Sequence, residues 1–510
     1  MPLTDYLDKG ASLGPDRPCL VVEDEILTYG QVQDHANRVA HALHRSGIGV
    51  GETVGILSAN DPIAFATVFG ISRAGAVWCP INPRNEAAEN RDLLDLFDCR
   101  CLIYQGQFES LVEQILPQLP ELTTVVRLDG PSSLGTSFDE WLAGCPSSAV
   151  ATSSPHRDVA MIVGTGGTTG TPKGVVLTGR SLETMSAITL MSYPFDQRPT
   201  YLALAPLTHA AGVLCFPIMA LGGVVVIMRS PDLHDFLRLV ERHRVTHTFL
   251  PPTLVYMLLG DDELDHTDLS SLQCFWYGAA PMSAARLAEA LERIGPMAQL
   301  FGQTEAPMMI STMAPRDHYR ADGSVATERL SSAGRPAPLV TVAIMAEDGT
   351  LLPTGERGEI VIRSSLVMDG YYKNPAATVE AGRHGWHHTG DIGYLDADNF
   401  LYVVDRAKDM IISGGFNVYS AEVEQALSAH PAVRDCAVIG LPDEKWGERV
   451  TAVVQLRVGV EADPAEIRDF VKARIGSVKA PKQVEIWADL PRSKVGKVLK
   501  AEIKSQLHPA

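Results

Sequence analysis

The sequence predicts an α/β protein with a large N-terminal body, a β-rich module and a small α+β domain at its C-terminal end. Three observations lead to this fold class. Strand patterns alternate with helix patterns up to about residue 330, which is typical of mostly parallel sheets flanked by helices. Glycine-punctuated strands follow, and a mixed segment of about 100 residues, enough for a separate domain, ends the chain. We predict domains at residues 1–405 and 406–510, with the β-rich module at about 331–405 and a hinge near 405–408.

The first 150 residues carry the alternation most clearly. The pattern of residues 31–47 predicts a helix, and Gly47 suits its C-cap because glycine readily adopts a positive φ. Short apolar runs around it predict buried strands at residues 54–57, 76–79, 101–104 and 124–128. A stretch rich in Ser and Ala, residues 149–154, predicts a linker to the next part of the body.

The alternation resumes at a strand pattern over residues 159–163. Further helices are predicted at residues 181–191, at 233–243 and from Ala284, and further strands at 200–205, 246–250 and 273–277. Residues 205–228 contain no Asp, Glu, Lys or Arg, and this length would suit a membrane helix. Because Pro217 and the Gly222-Gly223 pair interrupt the segment, we predict a helix followed by a buried strand instead.

The last third of the chain changes its pattern twice. Strands separated by glycines are predicted in the module at residues 340–345, 358–363 and 400–404. Beyond Asp405-Arg406, helices are predicted at 421–429 and 464–474, and strands at 437–440, 451–456 and 483–487. This mixture indicates the compact α+β unit.

The composition excludes several classes of function. A net charge of −18 argues against nucleic acid or an anionic membrane surface as the main partner. The first ten residues have neither the basic stretch nor the apolar run of a signal peptide. Eight cysteines without a C-x-x-C pair predict reduced thiols and a cytoplasmic location. Fifteen histidines without metal-ligand spacing argue against zinc, and nothing in the sequence predicts the oligomeric state.

Residues 161–176, MIVGTGGTTGTPKGVV, carry the clearest local signal for function. Glycines let the backbone approach an anion, hydroxyl groups donate further hydrogen bonds, and Lys173 adds a positive charge. The segment therefore predicts a phosphate-binding loop, with a Gly/Thr-rich surface turn as the alternative. It differs from the P-loop, because Gly174 stands after Lys173 where that motif has a magnesium-binding hydroxyl.

Six segments, taken in order, resemble the motifs of the adenylate-forming enzymes, which include acyl- and aryl-CoA synthetases, peptide-synthetase adenylation domains and firefly luciferase. They are TGGTTGTPKG at 165–174, APLTHAAG at 205–212, YGAAPMS at 277–283, QLFGQTEAP at 299–307, HTGDIGYLDADNFLYVVDRAKDMIISGGFNVYSAEVE at 388–424 and LPRSKVGKVLK at 490–500. The resemblance extends over nearly the whole chain. It implies an AMP-forming acid–CoA ligase that uses ATP, Mg²⁺, coenzyme A and a small-molecule carboxylic acid, with a mobile C-terminal domain.

The resemblance implies roles at the triphosphate of ATP. Thr304 would act in catalysis by donating its hydroxyl to the α-phosphate. Glu305 would coordinate Mg²⁺, which needs only one or two carboxylates besides phosphate oxygens and water; a solvated surface charge is the alternative. The β- and γ-phosphates would be bound by Thr165, Gly166, Gly167, Thr168, Thr169 and Lys173.

The nucleoside of ATP is the next implied ligand. Phe301 stands where the family commonly has Tyr, so an aromatic face against adenine is kept and a hydroxyl is lost. Asp391 would accept hydrogen bonds from the ribose hydroxyls, and Arg406 would reach the same sugar; an N-cap or turn aspartate is the alternative for Asp391. The other residues implied to contact AMP are Gly278, Ala279, Ala280 and Gly302.

The C-terminal domain is implied to serve two half-reactions. Lys497 would be the catalytic cation at the carboxylate and α-phosphate, with Lys494 and Lys500 as neighbours that the motif spacing disfavours. Lys408 matches the hinge about which the domain rotates for thiolation. After rotation, Gly414, Gly415 and Trp446 would border the CoA site. A purely structural role is the alternative for Trp446.

The acyl pocket is implied to include His209, which is also a catalytic candidate, together with Ala210, Ala211 and Met308. No Asp or Glu lies there to pair an α-ammonium group, so amino acids are disfavoured. Small and adaptable apolar residues predict a roomy pocket for a fatty or aryl acid. Because only thirteen residues follow Lys497, we expect a free thiol, CoA, as the acceptor. The alternatives are a ligase that loads a separate carrier protein and a non-catalytic nucleotide-binding relative.

Overall fold

The computed structural model describes residues 1–150, 159–165, 172–207, 210–406, 409–414, 416–492 and 498–508, with the backbone alone for Ala210, Ala211 and Asn417. Its strands are, in chain order, β1 (Pro18–Val22), β2 (Glu25–Thr28), β3 (Thr53–Leu57), β4 (Val77–Ile81), β5 (Cys99–Tyr104), β6 (Thr124–Arg127), β7 (Thr136–Ser137), β8 (Val159–Thr165), β9 (Lys173–Thr178), β10 (Thr200–Ala203), β11 (Val224–Ile227), β12 (His247–Leu250), β13 (Cys274–Gly278), β14 (Met297–Gln303), β15 (Ala306–Met313), β16 (Arg335–Pro336), β17 (Thr341–Met345), β18 (Gly358–Arg363), β19 (Gly370–Tyr371), β20 (His387–Leu395), β21 (Leu401–Arg406), β22 (Ile411–Ser413), β23 (Phe416–Val418), β24 (Val433–Asp443), β25 (Gly447–Leu456) and β26 (Gln483–Ile486).

The α-helices of the described chain are α1 (Leu3–Ser12), α2 (Tyr29–Arg45), α3 (Pro62–Arg73), α4 (Ala87–Leu96), α5 (Glu109–Ile115), α6 (Phe138–Leu142), α7 (Gly179–Ser192), α8 (Ala210–Ala220), α9 (Leu233–Arg242), α10 (Pro252–Leu258), α11 (Ala284–Arg293), α12 (Pro375–Ala381), α13 (Ser420–Ser428), α14 (Pro464–Lys479) and α15 (Lys500–Leu507). Each predicted helix and strand has a counterpart whose ends differ by a few residues. Gly47 lies just past α2 with φ +75°, as its predicted capping role requires.

Two large sheets form the body and confirm the predicted α/β class. One has the strand order β16-β15-β14-β13-β12-β10-β11-β1-β2, and the other β19-β9-β8-β4-β3-β5-β6-β7. Their central strands pair in parallel. An apolar cluster that includes α1, α2, α3, α7 and α8 lies between the sheets, while α9 to α11 and α4 to α5 pack on their other faces. Both sheets are therefore covered on two sides, as parallel sheets usually are.

The apolar segment at residues 205–228 has the predicted structure. Helix α8 contains Pro217, and Gly222 with φ +65° lies in the turn that leads to the buried strand β11. Among the residues that the structure describes, no helix has both the length and the apolar character needed to cross a bilayer.

The last part of the chain forms two smaller sheets. Strands β17, β18, β20 and β21 pair antiparallel in that order, in the region where the sequence predicts a β-rich module. After it, the sheet β23-β22-β25-β24 carries β26 alongside β25. Helices α13 and α14 pack on this sheet in one apolar cluster, and α15 packs on it in another.

Candidate active site

Strands β8 and β9 form an antiparallel hairpin that the sequence does not reveal as one. Their register places Thr165 opposite Lys173, and the β-branched residues after Lys173 explain why the chain returns as a strand. Both residues are half-buried. The predicted phosphate-binding residues Gly166, Gly167, Thr168 and Thr169 lie outside the described residues.

The turn between β14 and β15 carries Thr304 and Glu305, both half-buried. Gly302 lies against the backbone of Met308, where a Cβ atom would come within 2.5 Å of the Met308 nitrogen. Met308 itself has φ +64°, an uncommon conformation for a residue with a side chain. The turn is therefore packed too tightly for any residue other than glycine at position 302.

A short segment connects β9 with the turn between β14 and β15. The backbone N–H of Met368 donates to the Glu305 carbonyl at 2.7 Å, and the N–H of Tyr372 donates to the Gly174 carbonyl at 2.7 Å. Between them, the Tyr371 hydroxyl donates to Glu305 Oε1 at 2.8 Å. The Lys173 ammonium lies 4.9 Å from the centroid of the Tyr371 ring. No motif in the sequence points to Tyr371, because a Gly-Tyr-Tyr segment is equally typical of an ordinary strand.

The groups at this junction are suited to binding a phosphate and a divalent cation. Lys173 provides a cation, Thr165 and Thr304 provide hydroxyl groups, and Glu305 provides a carboxylate with oxygen lone pairs beyond the one that Tyr371 uses. Within the described part of the chain, no group of three or more His, Cys, Asp or Glu side chains could hold a metal ion. This donor set fits Mg²⁺, which is usually bound by one or two carboxylates together with substrate phosphates and water.

The predicted nucleoside residues follow the ends of β13 and β14. Gly278 ends β13, and a Cβ atom there would lie 2.4 Å from the Leu300 carbonyl oxygen of the neighbouring strand. Ala279 has φ +66°, and Ala279 and Ala280 are both exposed. Backbone strain of this kind concentrates at functional sites. Phe301 is half-buried on β14.

Asp391 and Arg406 are direct partners in the register of β20 and β21. Arg406 Nε lies 2.8 Å from Asp391 Oδ1, with the Asp391 side chain 4% exposed and that of Arg406 46% exposed. The Gln303 side-chain amide donates to the Thr389 carbonyl at 3.1 Å. This hydrogen bond ties the strand of Asp391 to the strand that precedes Glu305, so the predicted ribose and metal residues belong to one connected region.

His387 lies beside this connection. Its Nε2 atom is 3.4 Å from Gln303 Oε1. Burial lowers the pKa of His387, against the opposing effect of the Glu305 carboxylate. The lowered pKa favours the neutral ring, so His387 adds no positive charge near the Glu305 carboxylate.

The predicted acyl pocket is described only in part. His209 lies outside the described residues, and so do the side chains of Ala210 and Ala211. Gly212 follows these two residues in α8, and a Cβ atom there would lie 1.8 Å from the Leu207 carbonyl oxygen. Met308 is half-buried, at the turn described above.

In the C-terminal domain, the N–H of Gly414 donates to the Trp446 carbonyl at 2.7 Å. Gly414 has φ +60°, and a Cβ atom there would lie 3.1 Å from the half-buried Trp446 ring. Two of the three predicted CoA residues are therefore adjacent. The other predicted residues of this domain and its hinge, Lys408, Gly415 and Lys497, lie outside the described residues.

The lysine that could be confused with Lys497 has a structural contact. Lys500 Nζ lies 2.8 Å from Glu424 Oε1 and donates to Ser420 Oγ at 2.5 Å. Although burial acts to lower the pKa of Lys500, the Glu424 and Asp405 carboxylates raise it overall. Lys500 is therefore a cation fixed by its own domain.

Comparison with known proteins identifies the family. The family described as AMP-binding enzyme matches residues 7–372, and the AMP-binding enzyme C-terminal domain matches residues 422–497. The chain is 37% identical to the medium/long-chain-fatty-acid–CoA ligase FadD8 of Mycobacterium tuberculosis, over 96% of this chain and 87% of the relative. It is 34% identical to a feruloyl-CoA synthase of Amycolatopsis sp, over 94% of this chain and 93% of the relative.

Its fold also matches a solved structure, the amide bond synthetase McbA from Marinactinospora thermotolerans. The TM-score is 0.90 at 31% identity, and the match covers 99% of this chain and all of the other. The motifs, the fold and the relatives agree over nearly the full length. The chain belongs to the AMP-binding enzyme family, in the acid–CoA ligase branch of the adenylate-forming enzymes that its motifs resemble.

Proposed function

We propose that this protein is an ATP-dependent, AMP-forming ligase that joins an apolar carboxylic acid, fatty or aryl, to coenzyme A. The observation that carries the proposal is the meeting of Lys173, Tyr371 and Glu305 at one junction, connected through Gln303 to the strand of Asp391. The names of the relatives, a fatty-acid–CoA ligase and a feruloyl-CoA synthase, support both classes of acid.

In the first half-reaction, a carboxylate oxygen of the acid attacks the α-phosphorus of ATP, and the bond to pyrophosphate breaks. We assign Thr304 to hydrogen bonding of the α-phosphate, Lys173 to the outer phosphates and Lys497 to the charge that develops between acid and phosphate. Glu305 would hold Mg²⁺, whose bound charge offsets that of the triphosphate. Asp391 and Arg406 would hold the ribose, and Phe301 would lie against adenine.

In the second half-reaction, the thiolate of CoA attacks the carbonyl carbon of the acyl-adenylate, and AMP leaves. We propose that residues 406–510 act as a domain that rotates about Lys408 between the two steps. The rotation would carry Lys497 away from the acyl-adenylate and bring the segment of Gly414 and Gly415 to it. The contact between Gly414 and Trp446 supports the proposal that both residues line one surface for the pantetheine arm. Glycine there would let the arm approach the backbone closely.

The cysteines bear on where in the cell the protein works. All eight cysteines lie within the described residues and are free thiols, and burial raises the pKa of several of them, including Cys101 and Cys274. Such unreactive reduced thiols are typical of cytosolic proteins. We therefore propose a cytoplasmic location.

The deciding experiment is pyrophosphate release with MgATP and a panel of acids, from acetate through medium and long fatty acids to aryl acids and amino acids. We expect the highest kcat/KM with an apolar fatty or aryl acid, a low value with acetate and none with amino acids. Acetate as the best substrate would contradict the proposed pocket. Failure to release pyrophosphate with any acid would favour the non-catalytic alternative.

The acceptor is tested separately on the best acid. CoA, a holo-carrier protein and a simple amine are supplied in turn, and the acylated product is measured by mass spectrometry. We expect acyl-CoA to form fastest. Faster acylation of the carrier protein would reassign the protein as a carrier-loading ligase, and faster amide formation would reassign it as an amide-forming enzyme.

A further inference from the structure

Tyr371 contacts two candidate phosphate-site residues that come from different strands. Its hydroxyl donates to Glu305 Oε1 at 2.8 Å, across 66 residues of sequence. Its ring lies 4.9 Å from the Lys173 ammonium, measured to the ring centroid. One side chain therefore connects a carboxylate suited to a metal with a lysine suited to phosphate.

The backbone around Tyr371 holds it in place. Strand β19 pairs antiparallel with β9, with Tyr371 opposite Val175. The Tyr371 N–H donates to Thr378 Oγ1 at 2.9 Å. Gly370 packs against the same threonine, where a Cβ atom would come within 2.8 Å of Thr378 Cγ2. The pairing with β9 and the contacts with Thr378 therefore fix the backbone from which the Tyr371 side chain makes its two contacts.

The two contacts have different chemical effects. A hydroxyl that donates to one carboxylate oxygen orients the carboxylate and leaves the other oxygen to a metal ion, and such supporting hydrogen bonds tune metal affinity. An aromatic face near an ammonium group attracts it and limits where it can lie. Removal of the hydroxyl alone should therefore weaken metal binding at Glu305. Removal of the whole ring should also disturb the position of the Lys173 ammonium group.

We propose that Tyr371 is a positioning residue that holds Glu305 and Lys173 in the arrangement that receives the metal-bound triphosphate. This inference rests on the proposed function, since it takes Glu305 as the magnesium ligand and Lys173 as a phosphate contact.

The neighbouring Tyr372 supplies a matched control. Its hydroxyl also donates to a carboxylate, Asp98 Oδ2 at 2.7 Å, and its ring also lies near a lysine, with Lys373 Nζ at 5.6 Å from the centroid. Neither partner belongs to the candidate site. Tyr372→Phe therefore removes an equivalent hydroxyl without touching the proposed function.

The experiment measures equilibrium binding of a non-hydrolysable ATP analogue by calorimetry, once with saturating MgCl₂ and once with EDTA. The ratio of the two dissociation constants reports how much the metal contributes to the affinity for the analogue. For Tyr371→Phe we expect this contribution to fall about tenfold or more, the range for losing a partner of a metal ligand, while the affinity in EDTA is unchanged. Tyr371→Leu should also weaken binding in EDTA, and Tyr372→Phe should match the unaltered protein in both.

Glu305→Gln separates the two ways in which the result can fail. If Glu305→Gln reduces the contribution of the metal and Tyr371→Phe does not, the proposal for Tyr371 is overturned and the assignment of the site stands. If Glu305→Gln has no effect, the assignment of Glu305 falls, and this inference falls with it. If both substitutions reduce the contribution of the metal, the double variant Glu305→Gln/Tyr371→Phe should lose no more of it than Glu305→Gln alone, because the Tyr371 hydroxyl acts through Glu305. Thermal unfolding of Tyr371→Phe and Tyr372→Phe shows whether general destabilisation explains a difference.

Discussion

The guanidinium of Arg406 lies 2.8 Å from the carboxylate of Asp391, its direct partner across two antiparallel strands. The aspartate side chain is almost completely buried, whereas the arginine side chain is half-exposed. A partly exposed cation therefore orients a buried carboxylate, which fits the proposed role of Asp391 in accepting hydrogen bonds from the ribose.

Asp391→Asn tests this role. Loss of the charge should weaken ribose binding and raise the KM for ATP about tenfold, as expected for a hydrogen bond to a charged group. The unaltered enzyme should also prefer ATP to 2′-deoxy-ATP or 3′-deoxy-ATP, and the variant should lose that preference. Asp398→Asn, at an exposed position in the turn of the same hairpin, is the control. A preserved preference in Asp391→Asn would mean that the aspartate has only a structural role.

Lys497 and Lys408 should affect different half-reactions. Lys497→Ala removes a cation from the adenylation site, and that step should slow by about 10² to 10³, the range for one preorganised electrostatic group. Thiolation of a supplied acyl-adenylate should change much less. Lys408→Pro restricts φ at the hinge, so it should spare adenylation and slow thiolation.

The two steps are followed separately, as pyrophosphate release and as thioester formation from pre-made adenylate. Lys494→Ala, in the same motif as Lys497, should leave both rates unchanged. Equal slowing of both steps by Lys497→Ala and by Lys408→Pro would refute domain rotation between them.

Lys500 should stabilise the C-terminal domain rather than serve catalysis. Lys500→Met leaves Glu424, whose side chain is 23% exposed, without its cation, and we expect a loss of about 1.5–3 kcal/mol in the free energy of unfolding. Glu424→Gln in the same chain should restore part of that loss, because the neutral amide oxygen can still accept the hydrogen bond from Val438 N–H. Urea denaturation of both variants measures the difference. A double variant that is less stable than Lys500→Met would contradict this account.

His247 should make stability depend on pH. It is fully buried, stacks on Phe195 with centroids 4.4 Å apart, and burial lowers its pKa to about 4 from 6.5. Between these values the unfolded chain takes up a proton that the folded chain refuses, so stability falls as pH decreases from about 6.5 towards 4. One such group contributes at most about 1.4 kcal/mol per pH unit.

The measurement is urea denaturation across that pH range. His247→Asn removes the group, so the free energy of unfolding should depend less steeply on pH than in the unaltered protein. His234→Asn, at an exposed position on α9, should keep the original slope. If His247→Asn also leaves the pH dependence of the free energy of unfolding unchanged, another group is responsible for the loss of stability at acid pH.

Local patterns in the sequence predict much of this protein. Local patterns place α9, β12 and β18 within a few residues of their observed ends. Amphipathic spacing reflects the one buried face of α9, and short apolar or β-branched runs reflect the buried residues of the two strands. The six motifs identify the family, since short segments with defined chemistry stand in a fixed order. Those motifs also mark Thr304, Glu305 and Asp391 as candidate site residues.

The sequence alone therefore establishes the family, the order of the elements and a set of candidate residues. Which of these residues contact one another depends on the tertiary structure. The contact of Tyr371 with Glu305 spans 66 residues and depends on the register of β19 against β9, just as the pair of Asp391 and Arg406 depends on the register of β20 against β21. Lys500 and Lys497 look alike in sequence, but the fold pairs Lys500 with Glu424. Such contacts depend on which strands pair and in which register. Because the paired strands can be far apart in the sequence, a local pattern does not specify these contacts.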